Sequence, residues 1–267
     1  MHTWHWRTWN DLPYLTCSLL ESWPHGFFTR HYSPRPPAAL VDVLSGNSPA
    51  YRVRQVHGNR VLPTSAVQPQ TLDTTVELAE ADGLLTDQPQ ESVWSASADC
   101  VPVLIGDLKT GQVAAVHAGW RGTAAKIVPA AIARFQAQGS QLGNLRIALG
   151  PAISGAVYQV DQTVARTLGE TVLPDIQRYD LPAAMIALSQ LDERLVTEDA
   201  APHKIRVDVR QFNQLQLEQL GLEAEQVASA PHCTYQEPEN FFSYRRDGSK
   251  AVQWSGIIST TGLHDVE

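Results

Sequence analysis

The segment VAAVHAGWRGT, residues 113–123, constrains the fold most, because the spacing of apolar residues changes shortly after it begins. Alternate residues up to His117 share one face, which predicts a strand. Over residues 122–138 the apolar residues recur at helical spacing, which predicts a helix. Pro129 lies inside that helix and is expected to kink it or to separate two short helices. A strand that leads directly into a helix indicates an α/β fold.

Two other segments end on residues of the same chemical kind. YRVRQVH (51–57) alternates polar and apolar residues, which predicts a strand that ends at His57. VWSASADC (93–100) predicts a second strand, with Cys100 at its end. Because strand ends on one edge of a sheet are where separate segments converge, we expect these residues and His117 to meet.

The three residues at these strand ends are donors that a zinc ion prefers. Two imidazoles and one thiolate from His57, Cys100 and His117 would leave a fourth coordination position open, as in catalytic zinc sites. The long gaps between them form no local metal motif. Taken singly, each histidine also fits a hydrogen-bonded structural role, and the cysteine fits inert packing in a strand.

Two other reactions fit the same residues. Cys100 could act as a nucleophile with His117 as its base, which competes with zinc binding because a metal-bound thiolate is a weaker nucleophile. Copper oxidation is the second, and copper can occupy such a site in vitro. The chain has nine histidines, two methionines and no His-x-His pair, too few ligands for a multinuclear oxygen-reducing cluster.

Composition narrows the classes of partner. The net charge of −8 argues against a nucleic-acid polymer, because that binding depends on Lys and Arg neutralising phosphates. Three scattered cysteines suit a reducing compartment rather than a disulfide framework. No secretory signal opens the chain, and no apolar run approaches the roughly 18 residues that cross a bilayer. We therefore expect a cytoplasmic protein without a membrane partner.

Strands and helices intermix along the chain, and no linker long enough to separate domains interrupts them. The simplest prediction is one α/β domain over residues 1–267. A clear helix is predicted over 207–222, with Asp208 as its N-cap. The proline-rich stretch 33–49 is predicted to be a loop around at most one helical turn.

Polar groups elsewhere in the chain could support such a site. Arg121 stands at the start of the helix after His117, where a helix N-terminus and an arginine together favour an anion. A dense patch at 232–248 offers Ser243 and Arg245 to phosphate or sugar oxygens, and Tyr235 for stacking on a base.

Two of these polar groups carry a local structural prediction. The sequence FFSY in that patch predicts a strand, which would send Arg245 and Arg246 to opposite faces. Asp82 in EADGLLTD primarily indicates a turn. A second interpretation is that its carboxylate is the hydrogen-bond partner of a metal-binding histidine.

Seven phrases occur in one order and carry a family resemblance: HGFFTR, RQVHG, EADGLLTD, SADCVPVLIGD, VAAVHAGWRGT, LGPAIS and HCTYQEPENFFSYRRDG. Over about residues 25 to 260 the chain resembles the laccase-domain family of purine nucleoside phosphorylases. That family was earlier labelled multicopper polyphenol oxidase and includes the peptidoglycan editing factors. The resemblance implies two mixed central sheets between outer helices, in α/β/β/α layers, similar to a bacterial toxin deamidase that uses a Cys–His pair.

The resemblance also implies an activity: phosphorolysis of adenosine, inosine and methylthioadenosine, and deamination of adenosine. It implies zinc as the cofactor, a small nucleoside and phosphate as partners, and an oligomeric state that stays open. The zinc ligands that it implies are His57, Cys100 and His117. We expect these three residues and Arg121 to be catalytic, and we expect Gln55, Tyr235, Ser243 and Arg245 to bind the substrate.

Two alternatives stay open beside that activity. One is amide hydrolysis on a peptidoglycan precursor, with either a metal-bound water or Cys100 as the attacking group, and the other is a purine- or metal-binding module without turnover. The sequence departs from the family pattern in the shortened 33–49 stretch. It departs again at 248–250, where Gly-Ser-Lys stands in place of Thr-Gly-Arg, so that a bidentate arginine contact is lost.

Overall fold

A computed structural model describes residues 2–72 and 77–262. The strands are β1 (Trp4–Trp9), β2 (Leu12–Cys17), β3 (His25–Phe28), β4 (Ala50–Tyr51), β5 (Val61–Pro63), β6 (Gly83–Leu85), β7 (Ser92–Ser97), β8 (Val101–Asp107), β9 (Val113–Ala118), β10 (Leu145–Leu149), β11 (Gln159–Asp161), β12 (Val196–Glu198), β13 (Lys204–Val207), β14 (Val227–Ser229) and β15 (Gln253–Ile258). The helices are α1 (Pro37–Leu44), α2 (Trp120–Ala124), α3 (Ile127–Ala137), α4 (Gln162–Gly169), α5 (Leu181–Leu191), α6 (Val209–Gln219) and α7 (Tyr244–Asp247). Within the described ranges, none of these helices has the length and apolarity to cross a membrane.

The strands form two six-stranded sheets and one three-stranded sheet. The first sheet has the order β1-β2-β3-β15-β7-β4, and the second has the order β14-β10-β8-β9-β6-β5. Each combines antiparallel neighbours with parallel ones, β4 with β7 in the first and β5 with β6 in the second. The small sheet has the order β11-β13-β12. The sheets are therefore mixed, as predicted.

The two large sheets pack face to face between helices. Phe27 and Ile257 of the first sheet share a buried cluster with Leu104 and Ala115 of the second. The outer face of the first sheet packs on α1. The outer face of the second sheet packs on α3 and α6, beyond which lie α4, α5 and the small sheet. This arrangement confirms the predicted α/β/β/α layers.

Strand β8 shows how the sequence fits the second sheet. All seven of its residues are buried, because both faces of this sheet are covered. Val103 and Ile105 pack toward the helices, whereas Leu104 packs toward the first sheet. Burying a side chain of that size contributes about 1.5–3 kcal/mol. The antiparallel pairing of β8 with β9 sets Pro102 opposite His117 and fixes the histidine near the sheet end.

One predicted loop is wrong, and the predicted division into two short helices is confirmed, although at a different residue. Residues 33–49 contain the eight-residue helix α1, because proline is tolerated at the first helical positions and Leu40 lies against the first sheet. The helix predicted over 122–138 is divided before Pro129, at Lys126, whose φ of 58° is left-handed. Pro129 then falls in the first turn of α3, where its missing N–H breaks no helical bond.

Three predicted strands are also shorter or absent. The strand predicted over 51–57 stops at Tyr51; beyond it Arg54 forms one isolated bridge with Glu80, and the N–H of His57 binds a carboxylate instead of a strand. The strand predicted over 93–100 stops at Ser97. The FFSY strand is absent, since the Ser243 hydroxyl accepts the N–H of Arg246 and starts α7. By contrast, Asp208 caps α6 as predicted.

Candidate metal centre

The structure brings His57, Cys100 and His117 together. One ligand atom of each lies within 4.8 Å of the others. The two imidazole rings have centroids 4.8 Å apart and lie at 79° to each other. Cys100 immediately precedes β8, and His117 is the penultimate residue of β9, so paired strands carry two of the three. Within the described ranges this is the one group of three such residues close enough to hold an ion.

A single carboxylate positions both histidines. Asp82, which precedes β6 and is buried, accepts the backbone N–H groups of Val56, His57 and Gly58 at 3.2, 2.9 and 2.7 Å. The same carboxylate accepts the Nδ1–H of His117 at 2.9 Å. These bonds hold the loop at His57 in its left-handed conformation, with φ of 62°. Asp82 is therefore a hydrogen-bond partner of a histidine in the cluster, which was the second interpretation of this residue.

The hydrogen bond from His117 to Asp82 selects the tautomer of the ring. Because the carboxylate can only accept, Nδ1 carries the proton and Nε2 is left as the ligand atom. A carboxylate behind a metal-binding histidine fixes the orientation of the ring and raises its basicity. The local geometry is thus that of a metal ligand with its supporting partner.

The charges at this cluster favour a thiolate. Burial raises the pKa of Cys100, but attraction to His117 and hydrogen bonds from both histidines outweigh it and lower the pKa to about 6. Burial lowers the pKa of His117, but the thiolate and Asp82 raise it to about 9. Burial also raises the pKa of Asp82, but hydrogen bonds from His117 and from the N–H groups of the loop outweigh this effect, so the pKa of Asp82 lies below its usual value. At neutral pH the sulfur is therefore ionised, as a metal ligand must be.

Gly119 leaves the space that the cluster occupies. A Cβ at this position would lie 2.8 Å from the Cys100 Sγ and 3.2 Å from the His57 Cδ2. The glycine in the phrase HAGW therefore lets the chain pass close to two of the three donors after β9 ends.

The cluster lies in the wall of a cavity of about 850 Å³. Four aromatic residues also line it: Trp120, Tyr158, Tyr244 and Trp254. Five basic residues line it: Arg52, Arg54, Arg121, Arg245 and Lys250. Among the described residues of the wall, Asp99 is the one carboxylate. A cavity this basic in a chain of net charge −8 favours an anionic ligand.

Arg121 and Arg245 both reach the cavity beside an aromatic ring. The Arg121 guanidinium lies 4.4 Å from the ring centroid of Trp120, and that of Arg245 lies 4.8 Å from Tyr158. The Arg245 Nη1 also donates to the carbonyl of Gln159 at 2.7 Å. Arg246 does not line the cavity; its guanidinium binds main-chain carbonyls, including that of Thr234. Arg245 and Arg246 therefore do have different surroundings, but they lie on a helical turn rather than on a strand.

Asp99 is a cavity residue that the sequence analysis did not identify. Its carboxylate accepts the hydroxyl of Thr234 and the backbone N–H of Arg245, each at 2.7 Å. Its φ of 99° is unusual for a residue other than glycine. It thus ties the loop that carries Cys100 to the turn that carries Arg245. The one sequence signal was its place directly before the cysteine in SADC.

The other predicted substrate residues differ in position. Gln55 lines the cavity, but its amide bonds the main chain of Ala96 at both ends, each at 2.8 Å. The described lining of the cavity does not include Ser243 or Tyr235. Ser243 is buried, and its hydroxyl caps α7. The carbonyl of Tyr235 accepts a hydrogen bond from Arg246. Lys250, from the segment that departs from the family pattern, does line it.

Residues 38–260 match the model of the family described as multi-copper polyphenol oxidoreductase laccase. The chain belongs to this family. The matched range contains the whole His57, Cys100 and His117 cluster, and it covers most of the chain, as the resemblance implied.

Two proteins with sequence similarity to this laccase-domain chain are named as enzymes. Purine nucleoside phosphorylase slr1573 of Synechocystis sp. is 50% identical over 262 residues, 96% of this chain and 97% of that protein. Adenosine deaminase RL5, from an unknown prokaryotic organism, is 30% identical over 171 residues, 64% of this chain and 59% of that protein. The crystal structure of the Bacillus licheniformis hypothetical protein YfiH superposes with a TM-score of 0.78 at 24% identity, over 96% of this chain and 99% of that chain. YfiH supports the fold alone.

Proposed function

We propose that this protein is a zinc-dependent purine nucleoside phosphorylase that acts on adenosine, inosine and methylthioadenosine and also deaminates adenosine. The observation that carries the proposal is the His57, Cys100 and His117 cluster in the wall of a basic, aromatic-lined cavity. The 50% identity to a protein named purine nucleoside phosphorylase supports the reaction class.

The residues fit zinc by their chemistry. Two imidazoles and a thiolate of lowered pKa are a zinc donor set, and Asp82 supports one imidazole as a carboxylate supports metal-bound histidines. When bound, zinc would supply a Lewis acid with an open coordination position beside the substrate cavity. The same donors accommodate copper, which binds such sites more tightly in general. A single cluster supplies no multinuclear copper centre within the described residues.

In phosphorolysis, Arg121 and Arg245 would hold the phosphate. Their guanidinium groups offer charge-assisted hydrogen bonds to phosphate oxygens, and the adjacent aromatic rings restrict their orientation. A phosphate oxygen forms a bond to C1′ of the ribose while the bond from C1′ to the purine nitrogen breaks. The electron pair leaves with the base, which takes up a proton. The products are ribose 1-phosphate and the free purine.

The test is the phosphate dependence of base release. We expect purified protein to convert inosine to hypoxanthine when phosphate is present and not when it is absent. Chromatography measures the hypoxanthine that is released. Cys100→Ser and His117→Gln should lower the rate by at least about 100-fold, since each removes a ligand or its support. Base release that is independent of phosphate, or that either variant retains fully, would overturn the proposal. Conversion of adenosine to inosine in the same samples tests the deaminase activity.

A second candidate function is amide hydrolysis by the Cys100 thiolate. The observation in its favour is the pairing of a thiol of lowered pKa with a His117 of raised pKa, which resembles an activated Cys–His pair. UDP-muramyl-serine and adenosine offered to one preparation separate the candidates. Amide cleavage that persists after metal chelation supports the thiolate, whereas loss of all turnover on chelation supports zinc. Tight nucleoside binding without turnover would instead indicate a binding module.

A further inference from the structure

A second cavity of about 270 Å³ adjoins the main one. The two share a wall of five residues: Arg52, Lys250, Ala251, Val252 and Trp254. Arg35, from the stretch before α1, lines the second cavity but not the main one. None of the three metal-ligand candidates lines it within the described residues. The shared wall therefore forms a separate end of the site, away from the cluster.

Arg52 in this wall lacks a counterion. Its guanidinium is half-buried and stacks on Trp254, with 5.5 Å between Cζ and the ring centroid. Among residues 2–72 and 77–262 it makes no ion pair, whereas Arg54, two positions on, binds Glu80 at 2.7 Å. Burial lowers the pKa of Arg52, and no carboxylate opposes that effect. Because a partly buried charge without a partner is unfavourable, an anion bound here would be stabilised.

The remaining charges of the shared wall have the same sign. Lys250 is exposed at the rim, and Arg35 lies over Tyr32 at 5.9 Å in the second cavity. Asp99 is the one acidic residue among the described linings of both cavities, and its two oxygens already accept from Thr234 and the backbone of Arg245. No acidic group of the described linings is therefore available to neutralise this end of the site.

We propose that Arg52, with Lys250 and Arg35, forms an anion subsite that receives the 5′-phosphate of a purine nucleoside 5′-monophosphate. The base and ribose would occupy the main cavity, with C1′ toward Arg121 and the exocyclic C5′ carbon toward the shared wall. This assignment rests on the proposed function for the orientation of the nucleoside. It extends the substrate class from nucleosides to nucleotides, and it gives Arg52 a role in specificity.

The test compares the binding of inosine and inosine 5′-monophosphate by calorimetry in buffer without phosphate, where no phosphorolysis can occur. The unmodified protein should bind the monophosphate about tenfold more tightly at low salt, as one charge-assisted contact of moderate strength provides. The advantage should shrink in 0.5 M NaCl, because salt screens a partly exposed contact. Arg52→Gln should remove most of the advantage.

The control is Arg178→Gln, which removes a charge that Asp175 already neutralises outside the described linings of both cavities and should keep the tenfold ratio. Equal binding of inosine and its monophosphate, or a ratio unchanged by Arg52→Gln, would overturn the subsite. Competition by inorganic phosphate alone, equal to that by ribose 5-phosphate, would overturn the nucleotide assignment in favour of a free-phosphate site. Because the assay measures binding, a protein that fails to cleave inosine refutes the proposed function and leaves this test intact.

Discussion

Asp82→Asn should weaken zinc binding without touching a ligand. The Oδ1 of Asp82 accepts the His57 N–H and the His117 Nδ1–H, and Oδ2 accepts the N–H groups of Val56 and Gly58. Asparagine replaces one of these oxygens with an NH₂ group, so two donors lose their acceptor in either orientation of the amide. At about 0.5–1.5 kcal/mol for each part-buried loop N–H and about 1–3 kcal/mol for the buried His117 ring, the loss of stability is about 1–4 kcal/mol.

The expected effect on zinc follows from the same contacts. The hydrogen bonds to Asp82 that orient His57 and His117 are weakened or lost. The loss of such a supporting carboxylate lowers metal affinity by about 10–100-fold. Competition with a chromogenic chelator measures the affinity, and urea unfolding measures the stability. Asp107→Asn is the control for zinc affinity, because Asp107 is also buried but lies at the far end of β8; its Oδ1 accepts the N–H groups of Lys109 and Thr110, and this variant should bind zinc normally. Unchanged zinc affinity in Asp82→Asn would refute the positioning argument.

Three further predictions follow from single residues. Gly119→Ala should abolish stoichiometric zinc binding, since its Cβ would lie 2.8 Å from Cys100 Sγ, whereas Gly143→Ala, with open space, should bind zinc normally by mass spectrometry. In chelator-treated protein the thiolate absorbance near 240 nm should titrate at about pH 6, and His117→Gln should move that titration upward; an unshifted titration contradicts the pairing. His25, whose pKa burial lowers from 6.5, is neutral when folded, so stability is fully present above pH 6.5 and falls below it. The urea midpoint should therefore drop from pH 7.5 to 5.5, and less so in His25→Gln.

The sequence was sufficient to find the three donors because they follow apolar runs whose periodicity is visible. His117 lies in the predicted strand β9, which is buried throughout, whereas Cys100 lies between β7 and β8 rather than at the end of a strand. The layer order came from the family resemblance. A break between two short helices was predicted, but its position at Lys126 rather than at Pro129 was not, and helix α1 was not predicted either, because proline positions alone do not show where a helix begins.

The parts of the site that the sequence did not reveal depend on contacts between distant segments. That one carboxylate serves both histidines follows from the packing of Asp82 against the loop at 56–58, which no local pattern encodes. Asp99 joins Thr234 and Arg245 across more than a hundred residues of chain. Ser243 was assigned to substrate by its chemistry, yet its hydroxyl caps a helical turn.

The proposed activity requires one zinc ion held by His57, Cys100 and His117. X-ray absorption spectroscopy at the zinc edge, on protein with measured metal content, tests this directly. We expect one zinc per chain, with two nitrogen neighbours at about 2.0–2.1 Å and one sulfur at about 2.3 Å. The sulfur signal should disappear in Cys100→Ser. Protein that binds no zinc at stoichiometric supply, or zinc without a sulfur neighbour, would contradict the account.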